Sequence, residues 1–301
     1  MSRLLHLFLD RSGTPVLTRI LTPTVCLFIA AFTVACRTAP ITPEKQTPKA
    51  EAPKQIDFGG VSFSYDASLF TDIRAETVEA SPLENADDKP DYVLPRHVLF
   101  KIAGPYASQR KYSHFKPTIS VYPLDGFPQA YAISQDSVKG INAEIKKLRT
   151  LLSQTSSPQE GQIPYLPFID ATQTFQAHVK RVDFQGGKGI LFLTQYDIEP
   201  SLVNNLGLTY MFEGITVDGL YYVLAEFPID APGLPNDSFE GLSHEGYTVP
   251  PLPYSPDAQK AHEQYVAGVV RKLEELQPNQ FDPDLSVLEK VVRTINVHGT
   301  L

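Results

Sequence analysis

The chain has 301 residues, a formal net charge of −8 and two cysteines. Its acidic balance disfavours nucleic acid and anionic lipid surfaces as ligands, because both repel negative charge. With 14 tyrosines, 17 phenylalanines and no tryptophan, aromatic packing depends on the first two residue types.

Residues 1–35 have the organisation of an export signal. An apolar run over residues 20–35 follows three basic residues, Arg3, Arg11 and Arg19. Charged and apolar regions have this order in a signal peptide. The run has 16 residues, fewer than the roughly 20 that a membrane-spanning helix needs. We therefore predict that the segment is removed.

The segment 33–36 resembles the cleavage site of bacterial lipoproteins, with Ala35 before Cys36. It differs at Thr33, where that family usually has Leu. The resemblance implies cleavage between Ala35 and Cys36, a palmitate-bearing lipid anchor on Cys36, and a place on the extracytoplasmic face of the cell membrane. An ordinary signal peptide, an uncleaved anchor or a buried structural cysteine are the alternatives. Because Cys26 would leave with the signal, the mature fold would hold no disulfide, thiolate zinc site or cysteine nucleophile.

Residues 37–55 are rich in Pro, Thr, Lys and Ala and poor in bulky apolar side chains. Such a segment cannot build a core and favours extended conformations. We predict that it links the lipidated cysteine to one globular domain over residues 56–301. Without the first 35 residues the formal charge is −10, from 23 basic and 33 acidic residues.

Short strands and one helix are predicted in the first half of this domain. The alternation over residues 61–65 is typical of a half-buried strand, and residues 98–102 and 118–122 are further candidates. A helix follows, because apolar residues recur at a helical spacing and charged residues occupy the other faces. That apolar face consists of Val138, Ile141, Ile145, Leu148 and Leu152.

Residues 174–227 predict four consecutive strands in an antiparallel meander. The apolar positions change phase near Lys180 and Arg181, which indicates a β-bulge. Residues 185–189 are Gly-rich and connect two strand-like runs, so we interpret them as a hairpin turn and not as a phosphate-binding loop. Asp218 and Gly219 form a strong hairpin signal between the last two strands.

Two amphipathic helices are predicted at the end of the chain. The first begins with the N-cap Ser255 followed by Pro256, and its stripe is Ala258, Ala261, Tyr265, Val269, Leu273 and Leu276. The second begins at residues 282–284 and buries Leu285, Leu288, Val291, Val292 and Ile295. The predicted fold class is α+β, with an antiparallel meander packed between helices. Residues 228–253 form a long Pro/Gly-rich loop, which we interpret as a lid or surface flap.

The segments FQAHVKRVDFQGGKGILFLTQYD and LTYMFEGITVDGLYYVLAEFPIDAP resemble uncharacterised bacterial lipoproteins. The strand FSYDASLF and the helix LSVLEKVVRTINV resemble, more distantly, the order of elements in PsbP-like α/β/α domains. The second resemblance implies a binding or assembly role and assigns no functional residue.

Catalytic and metal motifs are weak. Ser243 and His244 lie in a segment that resembles a nucleophile elbow, but Glu245 stands where that motif needs Gly and the surroundings are Pro-rich. No two histidines have the spacing of a helical metal site, and the acidic stretch 84–91 lacks the order of an EF-hand loop. We predict no catalytic residue, no metal and no cofactor.

Aromatic residues are the candidates for binding. They are Tyr210, Phe212, Tyr221 and Tyr222, together with the Pro/aromatic segments 164–168 and 250–254. Tyr221 and Tyr222 must point to opposite faces of their strand. The leading hypothesis is a non-enzymatic, lipid-anchored binding or envelope-assembly module for a protein or small molecule. The alternatives are an extracytoplasmic hydrolase with its site under residues 228–253, and a purely structural surface lipoprotein.

Overall fold

The computed structural model describes residues 52–81, 93–154, 163–239 and 242–301. The predicted signal peptide, Cys36, the linker up to residue 51 and the acidic stretch 84–91 lie outside these residues. Within them, no helix is long and apolar enough to cross a membrane.

A seven-stranded antiparallel sheet organises the fold. The strands in chain order are β1 Lys54–Phe58, β2 Val61–Tyr65, β3 Asp72–Val78, β4 His97–Ala103, β5 Thr118–Pro123, β6 Thr172–Gln173, β7 Ala177–Phe184, β8 Gly187–Thr194, β9 Tyr196–Asp197, β10 Thr209–Thr216, β11 Tyr221–Pro228, β12 Ser243–His244, β13 Tyr247–Thr248 and β14 Asn296–Val297. The large sheet has the order β3-β4-β5-β11-β10-β8-β7, and β1-β2-β14 form a second, smaller sheet. The short strands pair as β6 with β9 and β12 with β13.

Five α-helices are described: α1 Pro105–Gln109, α2 Gly126–Ala130, α3 Gln135–Ser153, α4 Pro256–Glu275 and α5 Leu285–Arg293. The three long helices begin at polar caps that satisfy free backbone amides. Ser134 accepts a hydrogen bond from the Ser137 amide at 3.0 Å, and Ser255 accepts one from the Ala258 amide at 3.1 Å. Asp284 caps α5 in the same way.

Helices cover both faces of the large sheet, so the predicted α+β class is confirmed. On one face, α4, α5 and the small sheet enclose a core that includes Phe63, Phe100, Phe212 and Phe227. On the other face, α2 and α3 pack against Tyr122, Tyr222 and Leu224. A smaller cluster around Ile190, Phe192 and Met211 continues this second layer.

Close packing explains several glycines of the central strands. A β-carbon on Gly189 would lie 2.2 Å from the Phe212 ring, and one on Gly187 would lie 2.2 Å from the carbonyl oxygen of Ile215. Both distances are too short for non-bonded atoms. Glycine at position 189 therefore leaves room for the Phe212 ring, and glycine at position 187 leaves room for the backbone of the strand that carries Ile215.

An ion-pair cluster around a buried arginine connects the end of α1 to the chain that precedes α5. The Arg110 guanidinium lies 2.8 Å from the Asp230 carboxylate and 3.0 Å from the Asp282 carboxylate. It also donates a hydrogen bond of 2.7 Å to the Asp282 carbonyl oxygen. Because Arg110 is buried, it depends on these oxygens for its solvation.

Most predicted elements occur where the pattern placed them. The meander is confirmed, with β7, β8, β10 and β11 as neighbours in the sheet. The bulge lies slightly earlier than predicted, between Ala177 and Lys180, where His178 has a φ of 49°. Its backbone amide is held there by the Glu274 carboxylate at 2.7 Å.

Three details of the predicted elements differ in the structure. Lys54 and Gln55, predicted as linker, belong to β1 and pair with β2. Ala261, predicted in the buried stripe of α4, is exposed, whereas Val266, which the predicted stripe omits, is buried. The long loop 228–253 contains the β12-β13 hairpin, which rests on α4 through stacking of Tyr247 on Tyr265 with ring centroids 4.5 Å apart.

Candidate functional site

A cavity of about 930 Å³ opens on the α3 side of the large sheet. Its base is formed by β5 and β11, one wall by residues 163–171, another by β9 and the chain that follows it, and its rim by the long loop. We call it the Glu226 cavity. Its lining residues are Leu94, His114, Phe115, Tyr122, Tyr165, Pro167, Phe168, Ile169, Asp170, Ala171, Tyr196, Asp197, Ile198, Glu199, Leu224, Glu226, Ser238 and Phe239.

Glu226 is the polar group at the base of this cavity. It is carried by β11 and is partly exposed. The Tyr165 hydroxyl donates to one carboxylate oxygen at 2.7 Å, and the Thr118 hydroxyl donates to the other at 2.8 Å. Burial raises the pKa of Glu226, while the two hydroxyl donors act in the opposite direction.

Glu213 lies on the neighbouring strand β10 and is fully buried, with 0% of its surface exposed. Neither carboxylate oxygen has a hydrogen-bond partner. Burial, with a smaller contribution from Glu226, raises the pKa of Glu213 well above its ordinary value. The Tyr222 hydroxyl favours the charged form, but no hydrogen bond of ordinary geometry joins the two groups. Burial without hydrogen-bond partners therefore favours the neutral form of Glu213 in the folded protein.

The sheet register explains why the two glutamates share a face. In the antiparallel pair, Glu213 lies opposite Leu224 and Glu226 lies opposite Met211. The glutamates are therefore diagonal neighbours, about 7–8 Å apart at their backbones by general strand geometry. Each contributes to the electrostatic surroundings of nearby tyrosines, and burial raises the pKa of Tyr165, Tyr196 and Tyr222 well above the ordinary value.

Three aromatic rings form one side of the cavity. Phe115, Tyr165 and Tyr196 contact one another, with ring centroids between 5.2 and 5.9 Å apart. We call them the aromatic triad. Tyr196 is further held by a hydrogen bond of 3.2 Å from the Gln173 side-chain amide. These contacts fix the orientation of the rings before any ligand binds.

The rim combines acidic and exposed apolar side chains. Asp170 and Glu199 are exposed, whereas Asp197 accepts hydrogen bonds from Thr174 at 2.7 Å and Gln195 at 2.8 Å. Two large apolar side chains on the rim are mostly exposed to solvent, Ile198 at 78% and Phe239 at 80%. No lysine or arginine is among the described residues that line this cavity.

A second cavity, of about 520 Å³, shares residues 197–199 with the first. Its other walls come from α4 and from Tyr254. His262 lies there, and its ring nitrogen Nδ1 is 3.2 Å from the Tyr247 hydroxyl. Burial lowers the pKa of His262, which favours its neutral form.

The four aromatic residues predicted as binding candidates are mostly core residues. Tyr210 and Phe212 are buried against α4 and α5, and Tyr222 is buried on the opposite face of the sheet. Tyr221 is partly exposed and lines a small separate pocket. The expectation that Tyr221 and Tyr222 face opposite sides is confirmed, but three of the four rings have almost no surface to offer a partner.

The other predicted segments differ in their outcome. Tyr165 and Phe168, from the first Pro/aromatic segment, line the cavity, whereas Tyr254 from the second lines the neighbouring one. Ser243 is exposed in the β12-β13 hairpin, and His244 lies 3.5 Å from Glu245 outside both cavities. In the described part of the chain, no group of three or more His, Cys, Asp or Glu side chains is arranged to hold a metal ion.

The sequence analysis did not single out Glu213, Glu226 or Tyr196. A usable signal was present, since each glutamate interrupts a strand that is otherwise apolar or small, in MFEGI and in LAEFP. A charged residue in a strand that is covered on both faces needs an explanation. Comparison of the chain with protein-family models, with curated proteins and with solved structures found no match.

Proposed function

We propose that this protein is a non-enzymatic, lipid-anchored module on the extracytoplasmic face of the cell membrane, and that it binds a small molecule in the Glu226 cavity. In this proposal Cys36 carries the lipid, and the Pro-rich segment after it separates the domain from the bilayer. The observation on which it rests is a cavity of about 930 Å³ with a fixed carboxylate at its base.

The size and lining of the cavity support binding of a small molecule. Ligand sites commonly have volumes of about 300–1,000 Å³ and mostly apolar walls with a few fixed polar groups. The aromatic triad supplies the walls, and Glu226 supplies the polar group. Because both donors to Glu226 come from the protein, the carboxylate is oriented before the ligand arrives.

The arrangement of the histidines favours binding over hydrolysis. Hydrolysis by a serine or acid–base mechanism needs a histidine or carboxylate within hydrogen-bond reach of the group that it activates. In the described part of the cavity, no side-chain hydrogen bond joins His114 to a serine or a carboxylate. Glu226 is within hydrogen-bond reach of two hydroxyl groups, but neither belongs to a serine, and Thr118 is not among the described residues that line the cavity.

The anchor is tested by expressing the full chain in a bacterium and labelling with palmitate. We expect the wild-type protein to incorporate label and to partition into detergent. Cys36→Ser should do neither, whereas Cys26→Ser, the matched control, should behave like the wild type. Label in Cys36→Ser, or none in the wild type, would contradict the anchor.

Ligand binding is tested separately by native mass spectrometry of protein purified from cell envelopes. Ala171→Trp places a large ring in the cavity wall, since Ala171 lines it. We expect the wild type to retain a small molecule that this variant lacks, provided that circular dichroism shows both to be folded. Equal retention would mean that the ligand binds elsewhere, and a product released on turnover would favour the hydrolase alternative.

A further inference from the structure

We propose that the ligand of the Glu226 cavity is an organic cation, a small molecule with an ammonium group that lies between Glu226 and the aromatic triad. This inference rests on the proposed function, because it names the chemistry of the molecule that the cavity would bind. It is supported by the arrangement of the Glu226 carboxylate, the aromatic triad and the acidic side chains of the rim.

The carboxylate is the first step of the argument. Burial raises the pKa of Glu226, while the hydrogen bond that each oxygen accepts from a neutral hydroxyl group stabilises the ionised form. Among the described residues, no lysine, arginine or histidine forms an ion pair with it, and no lysine or arginine lines the cavity. A negative charge that is only partly exposed to water and has no counter-ion is costly, and a bound cation would lower that cost.

The rings are the second step. Phe115, Tyr165 and Tyr196 form a cluster beside Glu226, and Tyr165 contacts both the cluster and the carboxylate. Aromatic faces attract ammonium groups, and quaternary ammonium ligands are bound in proteins by such groups of rings. The same rings would repel an anion from their faces.

The rim is the third step. The acidic residues Asp170, Asp197 and Glu199 line the same cavity that has Glu226 at its base. A cleft lined by one sign of charge concentrates ligands of the opposite sign. The exposed side chains of Ile198 and Phe239 at the mouth would contact an apolar portion of the ligand, so we expect a cation with an apolar body.

The test compares two probes that differ in charge and hardly in shape. Choline carries a trimethylammonium group, and 3,3-dimethyl-1-butanol has a tert-butyl group in its place. Binding of each to the full-length protein is measured by titration with saturation-transfer NMR. We expect choline to bind at least about tenfold more tightly, as a desolvated cation–π contact with a carboxylate partner would give.

The variants separate charge from fold. Glu226→Gln should weaken choline binding by about tenfold or more and leave the neutral probe unchanged. Glu275→Gln, which removes an exposed carboxylate from α4, should leave both unchanged and controls for net charge. Tyr196→Leu should weaken choline selectively.

Two results would overturn the inference. Equal binding of the two probes, both lost in Ala171→Trp, would show that the cavity binds small molecules without selecting for a cation. Such a result would be consistent with the proposed small-molecule binding and would contradict the proposal that the ligand is an organic cation. No binding of choline, together with a retained envelope ligand that is neutral or anionic, would also refute the cation.

Discussion

Glu213→Gln should make the protein more stable, and by an amount that grows with pH. The wild-type glutamate is fully buried without hydrogen-bond partners, and burial raises its pKa well above the ordinary value of 4.5. The folded state therefore keeps a proton that the unfolded chain has released. Between the unfolded and folded pKa values, the free energy of unfolding falls as pH rises, by up to about 1.4 kcal/mol per pH unit.

The glutamine side chain has nearly the same shape as glutamate and does not titrate. The free energy of unfolding of Glu213→Gln therefore does not fall with pH on account of this position. Below about pH 4.5 the two proteins should differ by a small constant, since the wild-type carboxyl is then protonated in both states. Above it, the difference should rise by up to about 1.4 kcal/mol per unit until the folded-state pKa is reached. Glu226, whose pKa is also raised, is present in both proteins and adds the same trend to each.

The assay is urea denaturation at half-unit intervals from pH 4.5 to pH 8, followed by tyrosine fluorescence because the chain has no tryptophan. Glu275→Gln, at an exposed position, controls for the loss of one carboxylate. A difference between Glu213→Gln and the wild type that stays constant across this range would refute the argument. It would mean that Glu213 is charged in the folded protein or that water reaches it.

Further predictions concern stability and use the same denaturation assay. Arg110→Ala should lower the free energy of unfolding by about 1.5–3 kcal/mol, because it removes the hydrogen bonds that a buried guanidinium makes to two solvent-accessible aspartates. Arg96→Ala, which breaks an exposed ion pair, should cost less than about 1 kcal/mol; equal losses would contradict the role of burial. Gly189→Ala should destabilise by about 1–3 kcal/mol through its collision with the Phe212 ring. Gly268→Ala, on α4 with open space around the new methyl group, should stabilise by about 0.4–1 kcal/mol, and a loss there would show that the helix packs more tightly than described.

Local patterns predicted most of the fold because they depend on neighbours in sequence. The Asp218-Gly219 turn joins β10 and β11, and the Ser255 cap begins α4, as expected from their chemistry. The strand β3 was not predicted. It lies at an edge of the sheet, and its charged residues alternate with Ile73, Ala75 and Thr77. This period-two pattern is typical of a strand, but it contains only one large apolar residue before Val78, so the hydrophobic signal was small.

The candidate site could not be assembled from the sequence, because its parts meet only in the folded chain. Tyr165 lies 61 residues before Glu226, and Thr118 lies 108 residues before it. The pairing register of β10 and β11 determines that Glu213 and Glu226 share a face. This register does follow from the two-residue Asp218-Gly219 turn, so it is the distant partners Tyr165 and Thr118 that the sequence could not supply. Tyr210 and Phe212 are buried, which illustrates that aromatic residues on a hairpin can as easily fill a core as bind a partner.

The most direct test of the account is a high-resolution structure of the full-length protein after incubation with cell-envelope extract. We predict additional electron density in the Glu226 cavity, within hydrogen-bond or ion-pair distance of the Glu226 carboxylate and in contact with Tyr165 and Tyr196. A cavity that is filled by the protein's own side chains, or a ligand bound at another surface, would contradict the claim that this cavity is the binding site.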